Sequence, residues 1–304
     1  MPSNEISGIL CLNKPKSATS HDMVNKIRRL YQTKKVGHTG TLDPLATGVL
    51  VILIGRAAKA SDFLLAQRKE YIAEFRLGYT SDTLDITGNI TACTGAPLPD
   101  AKDIQSILPS FVGEITQIPP MYSAIKRDGK KLYELARQGI SVEREERLVT
   151  VYGIEYLGAG ELEGSHKIRI ECSKGTYIRT LCDDIGRALG CGAVMSSLCR
   201  TKNADFTLEG ALTVEELEEM SYEERCERLL PIESAFTHLE RVCLPPFFEK
   251  LARSGNEIYL KKIGFSAEEG SLIRLCTKDM FFALGRVESY PDGPAIRPLK
   301  QFDI

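Results

Sequence analysis

A run of six aliphatic residues, Val49 to Ile54, fed directly by a polar loop studded with glycines, constrains this chain more than any other feature. The run reads as a core strand. The loop before it, Gly37-His38-Thr39-Gly40-Thr41-Leu42-Asp43-Pro44-Leu45-Ala46-Thr47-Gly48, is therefore anchored at its far end to the hydrophobic interior. No purely aliphatic run is longer, and six residues fall far short of the roughly 20 needed to cross a bilayer, so no membrane-spanning helix is expected. The segment Met1 to Glu5 carries neither a basic nor an apolar stretch, so no export signal is expected and the cytoplasm is the expected location.

With 304 residues, 43% hydrophobic and 26% charged, disorder and fibrous structure are excluded, and about two domains are expected. The 9 cysteines are odd in number and contain no C-x-x-C pair, which disfavours a disulfide framework or a zinc ribbon. They read as small buried thiols. The 4 histidines are isolated, so metal-free chemistry is expected. The formal charge of −2 is unevenly spread: residues 1–80 hold 12 Lys and Arg against 6 Asp and Glu, whereas residues 205–250 hold 4 against 12. Such a chain can bind nucleic acid on one face, although two ordinary solvated faces would look the same.

Gly8 to Leu12 reads as a strand ended by the turn Asn13-Lys14-Pro15. Ser20 is the expected N-cap of a helix bearing Met23, Ile27 and Leu30 on one side and Lys26, Arg28 and Arg29 on the other. Alternation marks strands at Tyr71 to Leu77 and at Ile168 to Cys172. The turn after the second leads to a helix with Ile178, Leu181, Ile185 and Leu189 on a stripe ended by Gly190. Pro119 to Lys131 is a polar, basic insert that reads as a mobile loop or hairpin able to close over a ligand. Residues 212–240 read as helical. Beyond Pro245-Pro246, strands at Leu272 to Cys276, Phe281 to Val287 and Ala295 to Leu299 suggest a small all-β appendage, with the domain boundary near 242.

Asp43 precedes Pro44, and the proline ring pushes its backbone toward extended geometry. Glycines 37, 40 and 48 permit dihedrals and close approaches that a Cβ forbids. Such a loop can present one carboxylate to a large ligand, with Thr39, Thr41 and Thr47 as neighbouring donors. Spacing alone favours a plain turn.

Together with other motifs in order, this loop resembles the catalytic motif of the bacterial TruB-type tRNA pseudouridine synthases. The others are Leu12-Asn-Lys-Pro15, Lys69-Glu-Tyr71, Pro120-Met-Tyr-Ser-Ala124, Gly129-Lys-Lys-Leu-Tyr133, Ala136-Arg-Gln-Gly139, Cys172-Ser-Lys-Gly-Thr-Tyr-Ile-Arg-Thr180 and Leu189-Gly-Cys-Gly-Ala193. The match spans about residues 6 to 200.

The resemblance implies an enzyme that isomerises the T-loop uridine of tRNA (position 55 by tRNA convention) to pseudouridine by flipping the base, without metal or cofactor. It implies an α+β fold with a mixed, mainly antiparallel sheet flanked by helices. The expected domains are a catalytic unit over 1–242, with an RNA-binding insert at about 119–147, and a small β-rich PUA-like RNA-binding unit over 243–304. By position Asp43 matches the essential aspartate and Arg179 the arginine that pairs with it and lowers its pKa. Without the motif, Arg179 would read as a solvated helix residue. Tyr71 matches the tyrosine that stacks on the target base, its alternative being an ordinary core residue. Tyr177 and Leu198 match the pocket wall. His38 corresponds to the histidine that enters the T loop. Lys14 is included with the substrate-binding residues, although Lys14-Pro15 reads best as a turn supporting the loop. Lys126, Arg127, Lys130 and Lys131 resemble the basic part of an insert that folds over RNA. The expected partner is the tRNA T arm, with no membrane, no obligatory protein partner, and a monomeric state. The alternatives are a catalytic subunit of a guide-RNA pseudouridylation complex, which the short chain and the long insert disfavour, and a tRNA-folding chaperone without turnover.

Overall fold

The computed structural model describes residues 6–93, 97–127 and 129–302; residues 1–5, where the export signal was sought, and Asp128 of the insert lie outside the described residues. Strand β1 (Gly8–Lys14) is followed by helix α1 (Ser20–Leu30), strand β2 (Val36–His38) and strand β3 (Thr47–Ile54). β1 runs past the expected turn at Asn13 because Asn13 and Lys14 pair with Val49 and Gly48 of β3. The cap of α1 is Thr19, not Ser20. The Thr19 hydroxyl accepts from the Asp22 amide, and the Asp22 carboxylate accepts from the Thr19 amide and hydroxyl, a closed capping box. Ser20 is instead buried inside the first turn, with its hydroxyl on Leu42.

Helix α2 (Ser61–Leu65) leads to β4 (Lys69–Leu77), where Tyr71, Ala73, Phe75 and Leu77 are buried as their alternation predicts. Glu74, expected on the solvent side, is buried too, because Lys167 pairs with it at 3.0 Å. The hairpin β5 (Tyr79–Ser81) and β6 (Ile90–Ala92), helix α3 (Ala101–Ile107) and strand β7 (Gly113–Gln117) precede the insert. Within the insert, β8 (Lys126–Arg127) and β9 (Lys130–Lys131) form a short basic hairpin, followed by α4 (Leu132–Ala136). Strands β10 (Arg147–Ala159) and β11 (Ser165–Cys172) then lead to α5 (Ile178–Ala188), β12 (Ala193–Asn203) and β13 (Phe206–Thr207). Ile178, Leu181 and Ile185 of α5 are buried, and Gly190 at φ 74° ends the helix region.

These strands form a nine-stranded sheet whose main path is β1-β3-β12-β4-β11-β10-β7, with β2 beside β3 and β13 beside β12. Only β12 with β3 is a parallel pairing, at Cys199–Thr47 and Arg200–Gly48; the rest are antiparallel. The mixed, mainly antiparallel α+β architecture is thus the one the sequence suggested. On one face, Met23 and Ile27 of α1 and Leu181 and Ile185 of α5 pack with Leu50, Ile52 and Phe75. On the other, Ile9, Val49, Val51 and Leu53 meet Phe236, Phe281, Leu284 and Phe302.

Residues 212–240 are less helical than expected. They form α6 (Val214–Glu219), α7 (Tyr222–Glu227) and a 3-10 turn over Ile232–Phe236, because a second capping box, Ser221 with Glu224, restarts the helix after an extended Met220. This acidic stretch does not face away from basic α1: Lys26 pairs with Glu218 at 2.9 Å, and the Tyr31 hydroxyl donates to the Arg225 carbonyl. After β14 (Glu240–Cys243) come α8 (Pro246–Arg253), β15 (Ile258–Tyr259), α9 (Leu260–Ile263), β16 (Leu272–Cys276), β17 (Phe281–Tyr290) and β18 (Gly293–Gln301). They build a curled sheet in the order β14-β16-β17-β18-β15. The appendage is therefore not all-β. Phe248 and Leu251 of α8 and Ile263 of α9 pack on Ile273 and Phe282 to close its core.

The parallel contact of β3 with β12 brings Gly48 onto the backbone of Arg200. A Cβ built at Gly48, where φ is 99°, would meet the Arg200 carbonyl oxygen at 2.3 Å. Gly48→Ala is expected to destabilise the fold by about 2–4 kcal/mol, from backbone strain and overpacking together, read as a lower melting temperature.

Candidate active site

The loop between β2 and β3 is a fixed turn whose apolar residues are its anchors. Leu42, Leu45 and Ala46 are buried in the same core as Tyr71, Ile178 and Leu198, which leaves Asp43 and Pro44 as the turn between them. The Ala46 amide donates to the Asp43 carbonyl at 3.0 Å, and the Ser17 amide donates to the Pro44 carbonyl at 2.8 Å. Gly40, at φ 114°, makes a bend that other residues rarely adopt.

The Asp43 carboxylate meets Arg179 of α5, with Nε 3.0 Å from Oδ2. The Asp43 side chain remains 38% exposed while that of Arg179 is 6% exposed, so the pair opens toward solvent through the acid alone. The rest of the guanidinium is held from behind: Nη1 donates to the Thr83 carbonyl at 3.1 Å and lies 3.5 Å from Asp85 Oδ2, and Nη2 donates to the Tyr122 carbonyl at 2.8 Å. Asp85 is itself fixed, its Oδ1 accepting from the Thr83 hydroxyl at 2.8 Å and from the Thr87 amide at 2.9 Å. Arg179 thus bridges two carboxylates, one buried and one open.

Arg179 lowers the Asp43 pKa as expected, but burial outweighs it. Desolvation by its surroundings pushes its carboxyl above the ordinary value; the Arg179 guanidinium opposes that rise, and the nearby Asp85 charge adds to it.

Tyr71 on β4, Tyr177 before α5 and Lys14 at the end of β1 all lie within electrostatic reach of Asp43. Burial raises the pKa of both phenols, so both remain neutral hydroxyls. Tyr177 is braced by Gln117, which accepts from its amide at 2.9 Å and donates to its carbonyl at 3.2 Å. Leu198 on β12 is buried beside them in the same core. Lys14 is fully buried, and its ammonium donates to the carbonyls of Pro15 at 2.8 Å and Ala18 at 2.7 Å. Burial pushes its pKa down to about 8, with Asp43 pulling it back up. Lys14 therefore braces the turn from within. His38 is half-buried at the end of β2. Burial, with Arg200 adding to it, holds its imidazole below the usual range and so neutral.

The hairpin carrying Lys126, Arg127, Lys130 and Lys131 is joined to the site at its base, where Tyr122 accepts from Arg179. Lys126 and Lys130 are exposed; the Arg127 guanidinium is already bonded to the Glu143 carbonyl, and Lys131 Nζ lies 3.4 Å from the Tyr133 hydroxyl. Among the described residues, no group of three His, Cys, Asp or Glu side chains is placed to hold a metal ion. What the arrangement offers is one carboxylate, fixed by a guanidinium and open on one side, near tyrosine side chains. Such a group can act as a nucleophile or a base toward a planar ligand.

Three contributors were not singled out from sequence: Asp85, Ser20 in its actual role, and Arg200. Alternation along β12 places Arg200 on the face of Leu198, which is the one sequence signal that it points inward.

Residues 28–178 match the family model described as TruB family pseudouridylate synthase (N terminal domain). Residues 179–237 match the tRNA pseudouridylate synthase B C-terminal domain. The tRNA pseudouridine synthase B of Alkaliphilus oremlandii is 49% identical over 258 residues, 84% of this chain and 83% of that one. The protein of the same name from Clostridium tetani is 41% identical over 281 residues, 92% and 96% of the two chains. This chain belongs to the TruB family. It is a pseudouridylate synthase, and its TruB N-terminal match carries His38, Asp43 and Tyr71 while the C-terminal match begins at Arg179, so the central ion pair joins the two matched segments. Among solved structures, a chain of a Cbf5-Nop10-Gar1 complex superposes with a TM-score of 0.72 at 30% identity, covering 97% of this chain and 85% of that one. A chain of an H/ACA RNP bound to a substrate RNA containing 2′-deoxyuridine gives 0.70 at 27% identity, covering 98% and 85%.

Proposed function

We propose that this enzyme isomerises the T-loop uridine of tRNA, position 55 by tRNA convention, to pseudouridine. The observation that carries the reading is the Asp43–Arg179 pair, 3.0 Å apart, with the acid open to solvent and the guanidinium buried. In the reaction the N1–C1′ glycosidic bond breaks, the uracil turns, and C5 bonds to C1′; C5 then loses its proton and N1 gains one, so atoms and charge balance. Oxidation state is unchanged, so no redox cofactor is called for. Asp43 is assigned as the essential carboxylate and Arg179 as its partner. A uridine in a folded loop must leave its stack to reach them, at a few kcal/mol. Stacking on Tyr71, worth about 1–3 kcal/mol, offsets part of that. Tyr177 and Leu198 are assigned to the pocket wall and His38 to contact with the T loop. Lys126, Arg127, Lys130 and Lys131 are assigned to phosphate contacts, which give affinity without sequence information.

The catalytic unit is assigned to residues 1–242, and residues 243–304 to a PUA-like RNA-binding unit. The chain is proposed to act alone, as a monomer in the cytoplasm; among the described residues no helix is long and apolar enough to cross a membrane. Identities of 41–49% to proteins named tRNA pseudouridine synthase B, against 27–30% to chains of a Cbf5-Nop10-Gar1 complex and an H/ACA RNP, favour the stand-alone reading.

Purified protein incubated with an unmodified tRNA transcript and no guide RNA is expected to form pseudouridine at the T-loop uridine. Absence of product, or product only with a guide RNA, refutes the reading. Tyr71→Ala is expected to lower the single-turnover rate by about 10–100-fold while tRNA affinity changes little, since phosphate contacts dominate binding. A filter-binding Kd beside the rate checks this. Because Asp43 acts ionised and burial raises its pKa, the rate should fall as pH drops through a value above the ordinary 3.8. A pH–rate profile whose acid limb lies at or below that value contradicts the assignment.

A further inference from the structure

Among the described residues Arg200 on β12 is the largest fully buried side chain, 1% exposed, and no carboxylate pairs with it. Lys14 and Lys69 lie within its electrostatic reach, so its surroundings add repulsion to the burial of a charge. A buried apolar residue would serve the core better; the guanidinium needs another reason to be there. Its hydrogen bonds supply one. Nε donates to the Val49 carbonyl at 2.7 Å and Nη2 donates to the Gly40 carbonyl at 3.1 Å, so one planar fork ties together the two ends of the turn that carries Asp43. The same guanidinium acts electrostatically on the Tyr71 hydroxyl. A third hold sits between these ends. The Ser20 hydroxyl, buried in α1, accepts from the Leu42 amide at 2.8 Å and donates to the Leu42 carbonyl at 3.1 Å, bracketing the residue before Asp43.

We propose that Arg200 and Ser20 are positioning residues that hold the Gly40–Val49 turn, and with it Asp43 and the Tyr71 ring, in register for the reaction. The inference rests on the function proposed above. Neither residue touches the reacting atoms. Rigid placement matters because a displacement of about 1 Å of a reacting group can lower a rate 100-fold without altering ground-state affinity. Arginine is specific here, since a lysine ammonium on its flexible stem lacks the planar fork that spans both carbonyls.

The test compares Arg200→Lys and Ser20→Ala with the unaltered enzyme in single-turnover formation of pseudouridine in an unmodified tRNA transcript. It also records tRNA Kd, melting temperature and the pH–rate profile. Arg200→Lys is expected to lower the rate about 100-fold and Ser20→Ala about tenfold, with Kd within about twofold, at temperatures where both are folded. The acid limb is expected to move, because a slack turn alters the distance of Asp43 from Arg179; a residue that only adds global stability leaves that limb in place. A rate per folded molecule equal to that of the unaltered enzyme, an unmoved acid limb, or a loss confined to Kd overturns the proposal. Should Arg200→Lys not fold, Ser20→Ala decides the matter by the same criteria. An unaltered enzyme that makes no pseudouridine overturns the functional reading and this inference with it, whereas active enzyme with undisturbed variants overturns this inference alone.

Discussion

Asp43→Asn is expected to reduce pseudouridine formation by about 10⁴-fold or more, as removal of an essential reacting group does, with tRNA affinity and melting temperature nearly unchanged. The carboxamide keeps the shape of the carboxylate but cannot act as an anionic nucleophile or base. The fold should tolerate it because the turn is held through other residues: Leu42, Leu45 and Ala46 in the core, and backbone hydrogen bonds at Asp43 and Pro44. Arg179 also keeps its contacts with Thr83, Tyr122 and Asp85. Removing a half-exposed acid from one side of that cluster therefore leaves the buried side intact. Single-turnover rate and filter binding on the same preparation check this. A variant that binds poorly but turns over normally when saturated contradicts the role given to Asp43.

Arg179→Met should damage both stability and activity, and by a different route. The Asp85 carboxylate is about as buried as Arg179, with side-chain exposures of 5% and 6%. Taking away the guanidinium strands that charge, and such a loss typically destabilises by about 3–5 kcal/mol. Two backbone carbonyls, of Thr83 and Tyr122, lose their donor as well. At Asp43 the effect is on titration. Arg179 is the principal influence opposing the rise caused by burial, so without it the carboxyl pKa climbs further and the acid limb of the rate profile moves to higher pH. Chemical denaturation together with a pH–rate profile tests both parts. A variant that is as stable as the unaltered enzyme, with its acid limb in place, contradicts the bridging role of Arg179. Arg179→Lys should lie between the two, retaining charge but losing the fork.

Local features of the site were legible before any coordinates. The glycines at 40 and 48 adopt positive φ, as a turn feeding a core strand requires, and Asp43 precedes its proline at the turn. The stripe on α5 and the alternation on β4 placed Arg179 and Tyr71 on the right elements. Errors occurred where two local signals compete. Thr19 and Ser20 are both good caps, and the choice went to Thr19 because Asp22 stands three residues on to close the box, freeing Ser20 for Leu42. The glutamate-rich stretch from 212 to 240 reads as helical by composition, but the Ser221 cap divides it. The effect of Arg179 on Asp43 was legible but the net pKa was not, because a neighbouring cation can be inferred from a motif, whereas desolvation depends on everything that packs around the carboxyl.

The amino-acid order determined the elements themselves: which runs are strands, where the catalytic turn bends, and which acid that turn displays. Those properties follow from side-chain size, branching and backbone freedom within a few residues. Tertiary structure alone decided that Asp85 lies behind Arg179 across 94 positions and that Arg200 reaches Gly40 across 160. Sheet order and strand register set those pairings, and both are fixed by burial summed over the whole core, a quantity no local stretch of sequence contains.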